Sequence, residues 1–146
     1  VKPPPPSDAA TAARMRRQRT QGTKAELIVR AWLRAHGLAY RIAPRTLPGR
    51  PDLANRRQGW ALFVHGCFWH AHQGCPRATL PKRNRAFWQA KLAANKARDA
   101  RKVEALEAMG LEVHVVWECE ALGLAKGGEV PAALSRLLEG RKRGGT

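Results

Sequence analysis

From Phe63 to Cys75 the chain reads FVHGCFWHAHQGC, which places two cysteines and three histidines within thirteen positions. Cys67-x4-His72-x2-Cys75 groups three soft ligands in one loop, and Cys119 ends a later segment, LEVHVVWE, that reads as a strand lying beside it. Thiolates with an imidazole form the donor set of tetrahedral Zn2+, and a site filled by four protein ligands is structural, because no position is left for substrate. Plain burial of the cysteines is the alternative. A disulfide framework is a poor account of them, since three cysteines are an odd number in a chain expected to sit in a reducing compartment.

His65 and His70 fall outside that set. Asp52 follows LPGRP at the start of a strand, one short hairpin away from the strand that ends at His65. A carboxylate beside a strand end can hold Mg2+ against a scissile phosphate while a base activates water; Asp after Pro is equally ordinary turn chemistry. Many metal-dependent nucleases supply Asp or Glu, any residue, then Lys on the next strand. Here LFVHG has neither, so a backbone carbonyl would replace the second ligand and a histidine the proton acceptor. Phe68 and Trp69 are neighbours in a glycine-containing loop, so they cannot both point into a core as alternate strand residues do. At least one is expected to be exposed, where it would stack on bases or wedge between base pairs; packing of both over the metal loop is the alternative.

The 146 residues are enough for one domain. Lys and Arg number 27 against 11 acidic residues, a formal charge of +16 with pI about 11.3, which predicts a polyanionic partner. No stretch is apolar for long enough to span a bilayer, and VKPPPPSDAA lacks a secretory hydrophobic segment, so an intracellular, non-membrane protein is expected. Residues 1–13 read as a disordered proline-rich leader, 14–140 as a single domain and 141–146 as a basic tail. The run RMRRQRT is either a solvated charged segment or an arm along phosphates.

The elements that must position the site follow from hydrophobic period. From Thr23, Ala25, Ile28, Val29, Trp32 and Leu33 share a helical face that stops at Gly37, and Thr23 with Glu26 fits a capping box. LAYRI alternates as a strand, DLA and GWALFVH form a hairpin around NRRQ, residues 83–110 form a long helix, LEVHVVWE is a strand, and Pro131 opens a last amphipathic helix. Strand, crossover helix and strand imply a parallel pair. The expectation is therefore an α/β fold, a mixed sheet flanked by helices. Trp32, Trp60 and Trp117 read as core, His36 as a helix C-terminal cap or an exposed residue, and His114 as a structural strand residue.

TLPGRPDL, FVHGCFWHAH, FWQAKLAANKARD and VVWECEAL, in this order and spacing, closely resemble the very short patch repair (Vsr-type) endonucleases, which nick DNA 5′ to the thymine of T·G mismatches left by deamination of 5-methylcytosine. The resemblance runs from about Met15 to Ala121. It implies a restriction-endonuclease-like core, with Asp52 and the Val64 carbonyl as Mg2+ ligands, His70 as general base, His65 as second active-site histidine and Glu26 supporting the site. Cys67, His72, Cys75 and Cys119 match the zinc ligands, with a gap between His72 and Cys75 one residue longer. Phe68, Trp69 and Trp88 match intercalating aromatics, although Trp88 beside Phe87 could equally be core. Lys91 and Asn95 match residues that read the mispaired bases, and Met15 a residue of an arm at the minor groove. The implied partners are double-stranded DNA with a T·G mismatch and, as a candidate, a MutL-type mismatch-repair protein. The implied setting is a monomer in the bacterial cytoplasm, associated with the nucleoid. A zinc-stabilised DNA-binding module without catalysis is the rival from another class.

Overall fold

In the computed structural model, residues 22–144 are described; the proline-rich leader, the RMRRQRT run and Met15 lie outside them. Helix α1 (Lys24–Ala35) opens where Thr23 Oγ1 accepts the Glu26 N–H at 3.1 Å, and buries Ala25, Val29 and Leu33 at four-residue spacing. His36 caps its end and Gly37, at φ +70°, turns the chain out. Only half of the expected capping box forms, because the Glu26 carboxylate pairs forward with Arg30 instead.

Strand β1 (Arg41–Ile42) pairs antiparallel with β2 (Leu53–Asn55), and β2 antiparallel with β3 (Trp60–His65). The β2–β3 turn closes on the Gln58 N–H bonded to Asn55 Oδ1 at 2.9 Å, with Gly59 at φ +82°. Helix α2 (Arg85–Ala108) then crosses over and delivers β4 (Glu112–Trp117), parallel to β3 with His65 opposite Trp117. The four strands stand in the order β1-β2-β3-β4, so the predicted mixed sheet flanked by helices is present.

Alternation along β3 builds two layers. Trp60 and Leu62 pack with Val29, Leu33, Val116, Leu134 and Leu137 on one face of the sheet, while Ala61 and Phe63 pack with Leu106 and Leu111 on the other. Phe63 and His65 share a face, so β3 points His65 toward α2. Trp60 is buried; Trp32 and Trp117 are partly so. His114 is buried on β4, as a structural residue would be.

One expectation is corrected. The strand does not run on to Cys119: helix α3 (Glu118–Ala125) starts immediately after Trp117, held by the Glu120 carboxylate accepting the Trp117 N–H at 2.9 Å. Cys119 therefore lies in the first turn of a helix. Helix α4 (Ala132–Gly144) reaches into the segment expected as a tail. No described helix is long and apolar enough to cross a membrane.

Candidate active site and metal centre

The loop between β1 and β2 aims Asp52. Gly49 at φ +73° and Arg50 at φ +45° are two successive left-handed residues, a turn tight enough to set Pro51 and Asp52 against the middle of the sheet. Asp52 Oδ2 there accepts the Val64 N–H from β3 at 2.7 Å. Burial pushes the Asp52 carboxyl from 3.8 up to about 7, against the pull of that hydrogen bond, and the neighbouring Glu26 adds to the rise. Glu26 itself is 2% exposed. Two carboxyl groups held out of water near each other, one of them strongly raised, are a candidate functional site.

His65, at the end of β3, is 6% exposed, and burial followed by the adjacent His70 lowers its pKa to about 3. Its ring lies parallel on that of His70, centroids 3.8 Å apart. His70 Nδ1 bonds Asp99 Oδ2 of α2 at 2.5 Å. This bond fixes the imidazole and leaves the other ring nitrogen to act, the arrangement of a histidine used as a base. Asp52, Glu26, His65, His70, Asp99 and Val64 all line one cleft of about 490 Å³, a volume in the range of small-ligand sites.

The soft ligands gather on the other side of the same loop. One ligand atom from each of Cys67, His72, Cys75 and Cys119 lies within 4.8 Å of all the others, and Cys119 Sγ is 3.6 Å from His72 Nδ1. Cys67 Sγ accepts the Cys119 N–H at 3.4 Å from the start of α3, and burial pushes the Cys67 thiol up to about 12. Three cysteines unpaired with one another and one histidine, converging in this way, fit a tetrahedral metal ion. Ala71, at φ +52°, reverses the chain between His70 and His72 so that one faces Asp99 and the other Cys119.

Rings join the two centres. His72 stacks on Trp117 at 4.0 Å, and Trp117 meets His65 edge-on at 5.3 Å. Phe68, Trp69 and Trp88 pack edge to face on one another, with centroids 5.2 to 5.8 Å apart. Contrary to the expected exposure of Phe68 or Trp69, both are partly buried, because Trp88 of α2 supplies a third face to pack against. Asn95 donates to the Trp69 carbonyl at 3.0 Å, holding the aromatic loop to α2, while Lys91 is exposed.

Asp99 was not among the expected site residues. Its signal is a spacing: Leu92, Asn95, Asp99, Lys102 and Leu106 recur at three and four residues, an inward stripe buried at its apolar ends and half-buried in its polar middle. A polar interruption in an inward-facing stripe calls for a partner, and His70 is that partner.

Residues 7–77 match the family described as DNA mismatch endonuclease Vsr. The chain is 42% identical over 125 residues to the type II nicking enzyme V.XorIIP of Xanthomonas oryzae pv. oryzae, covering 86% of this chain and 89% of that protein. It is 38% identical over 120 residues to the DNA mismatch endonuclease Vsr of Escherichia coli K12, covering 82% and 76% respectively. With the type II nicking enzyme V.NmeAIP of Neisseria meningitidis it shares 40% identity over 98 residues, 67% of this chain and 69% of the relative.

Proposed function

The chain belongs to the DNA mismatch endonuclease Vsr family and is a DNA endonuclease, and on that premise we propose that it makes a Mg2+-dependent nick 5′ to the thymine of a T·G mismatch. The observation that carries this reading is one cleft lined both by the raised Asp52 carboxyl and by a histidine held by a carboxylate. Asp52 and the Val64 carbonyl would hold the ion, which fits a buried acid whose charge lacks a full counterweight. Bound magnesium supplies positive charge at the phosphate and makes water more acidic.

The chain's own residues do the rest. His70, with Nδ1 committed to Asp99, accepts at its second ring nitrogen the proton of the attacking water, and Asp99 steadies the resulting imidazolium. His65, kept neutral by burial, lies flat against His70 and limits how that ring can turn. Glu26, paired with Arg30, backs Asp52 from α1. Cys67, His72, Cys75 and Cys119 would hold structural zinc, and the core is of restriction-endonuclease-like type. Phe68, Trp69 and Trp88 enter the duplex at the mismatch, where Lys91 and Asn95 meet the base edges. The protein acts as a monomer on double-stranded DNA, and a MutL-type protein is the candidate stimulating partner.

The test is a labelled duplex with a single T·G mismatch in varied flanking contexts, incubated in Mg2+ or in EDTA beside its T·A counterpart. The expected product is one nick 5′ to the mispaired thymine, in Mg2+ only. Equal nicking of the T·A duplex would remove the mismatch from the assignment, and nicking in EDTA would remove the metal. In the same assay Asp99→Asn should slow single-turnover nicking about 10²-fold or more, since the charge that steadies His70 is lost, with duplex affinity by gel shift unchanged. A full rate in Asp99→Asn would strip the pair of its role.

A further inference from the structure

The cleft holds a cation with no task in the mechanism above. Lys102 lines it from α2, three residues beyond Asp99, and its side chain is partly buried. Its charge reaches two of the cleft's groups, acting to lower the pKa of Asp52 and of His65. It forms no ion pair among the described residues, although Asp52 and Asp99 line the same space. The stem is fixed from above, because Gly49 passes so closely that a Cβ at that position would lie 2.7 Å from Lys102 Cβ and 2.8 Å from Cγ. Glycine at 49 therefore serves two ends, a left-handed turn and room for this lysine, and the loop that delivers Asp52 is built against Lys102.

The charge balance gives the lysine a purpose. Glu26, Asp52, Asp99 and Glu118 line the cleft, against Arg50 and Lys102, and Arg50 is exposed at its rim. A phosphodiester entering there meets carboxylates, and its negative charge grows on the non-bridging oxygens as water adds to phosphorus. β3 carries no lysine that could answer that charge; α2 brings one into the same space.

We propose that Lys102 is a catalytic residue whose ammonium binds a non-bridging oxygen of the scissile phosphate and offsets the charge developing there. In the step it serves, the water oxygen bonds to phosphorus, the bond to the departing deoxyribose oxygen breaks with its electron pair going to that oxygen, which takes a proton from solvent, and the water proton passes to His70. The proposal rests on the endonuclease reading of the cleft, for which nicking by the wild-type protein is the control. Removing one preorganised charge partner of a transition state slows reactions by about 10² to 10³.

Lys102→Met keeps the stem beneath Gly49 and deletes only the charge. Single-turnover nicking at saturating Mg2+ and enzyme should fall about 10²-fold in Lys102→Met, with Tm and duplex affinity held, and Lys102→Arg should recover most of the rate. Substituting sulfur for each non-bridging oxygen in turn supplies a readout that a structural role would not move. One stereoisomer should slow the wild type more than it slows Lys102→Met, because the contact it weakens is already gone. Wild-type rates in Lys102→Met, or a slowed variant with an unchanged sulfur effect, would overturn the proposal while leaving the nuclease reading in place; an inactive wild type would overturn both.

Discussion

Asp52→Asn will yield a protein that is more stable than its parent without metal and at least about 10³-fold slower at nicking, since a bound ion contributes several kcal/mol to a phosphoryl transition state. The two effects share a cause. Burial lifts the Asp52 carboxyl from 3.8 to about 7, so between those values the folded protein holds a proton that the unfolded chain has released. Stability must then fall as pH rises through that window, and the whole cost is present above pH 7. A shift of this size corresponds to about 4 kcal/mol as an upper figure. Asparagine keeps an oxygen for the Val64 N–H and removes the charge, so metal-free Asp52→Asn should melt about 5 °C or more above the wild type at pH 8, with the gap closing toward pH 4. Mg2+ should raise the Tm of the wild type through mass action and leave the variant unmoved. The wild-type rate should climb through about pH 7, with the midpoint moving lower as Mg2+ is increased, because ion and proton compete for one carboxylate. A variant that melts below the wild type at pH 8, or still answers to Mg2+, would show that Asp52 is not the strained ligand.

Legibility in the sequence followed how locally each feature was encoded. The hairpin and the crossover were readable because β2 and β3 alternate around Asn55–Gly59, and α2 runs for 24 residues of strong helix formers. Helix α3 was not, since its cap comes from Glu120 reaching back to the Trp117 N–H, and tryptophan is no N-cap signal. Cys119 was placed correctly beside the loop cysteines but in the wrong element, because the β3–β4 pairing sets its position whichever element follows. The ligand types around Asp52 and Cys67 stood out, since cysteines and histidines packed into one loop are costly to explain otherwise. Asp99 and Lys102 were hidden within KARDARK, where charge on a basic helix looks like a solvated face. Their inward direction depends on partners far off in the chain, His70 for Asp99 and Gly49 for Lys102.

Stripping the metal from the Cys67, His72, Cys75 and Cys119 cluster is expected to abolish nicking and to lower Tm by about 10 °C or more, corresponding to the loss of roughly 3 kcal/mol or more of folding energy. Between Gly66 and Asn84 the only regular structure is the single 3-10 turn Pro76–Ala78, and the backbone bonds His72 to Cys67, Cys75 to His72 and Ala78 to Cys75 are turn contacts only. Such a segment cannot define itself by its own hydrogen bonds, so a four-point tie to β3 and α3 must do so. The stacked histidines His65 and His70 depend on that tie. His70 lies within the loop, and His72 stacked on Trp117, which abuts His65, connects the metal cluster to the far side of the pair. Chelator-treated protein held in excess Mg2+ should therefore stay inactive and recover on addition of Zn2+, and Cys67→Ser should behave as the stripped protein does even with zinc present. Tryptophan fluorescence gives an independent measure, because Trp69, Trp88 and Trp117 all pack on or beside the loop. Metal-free protein that nicks at full rate in Mg2+, with its fluorescence unchanged, would mean that the ring contacts and Asn95 alone hold His70 against Asp99, and that the cysteine cluster serves something other than the active site.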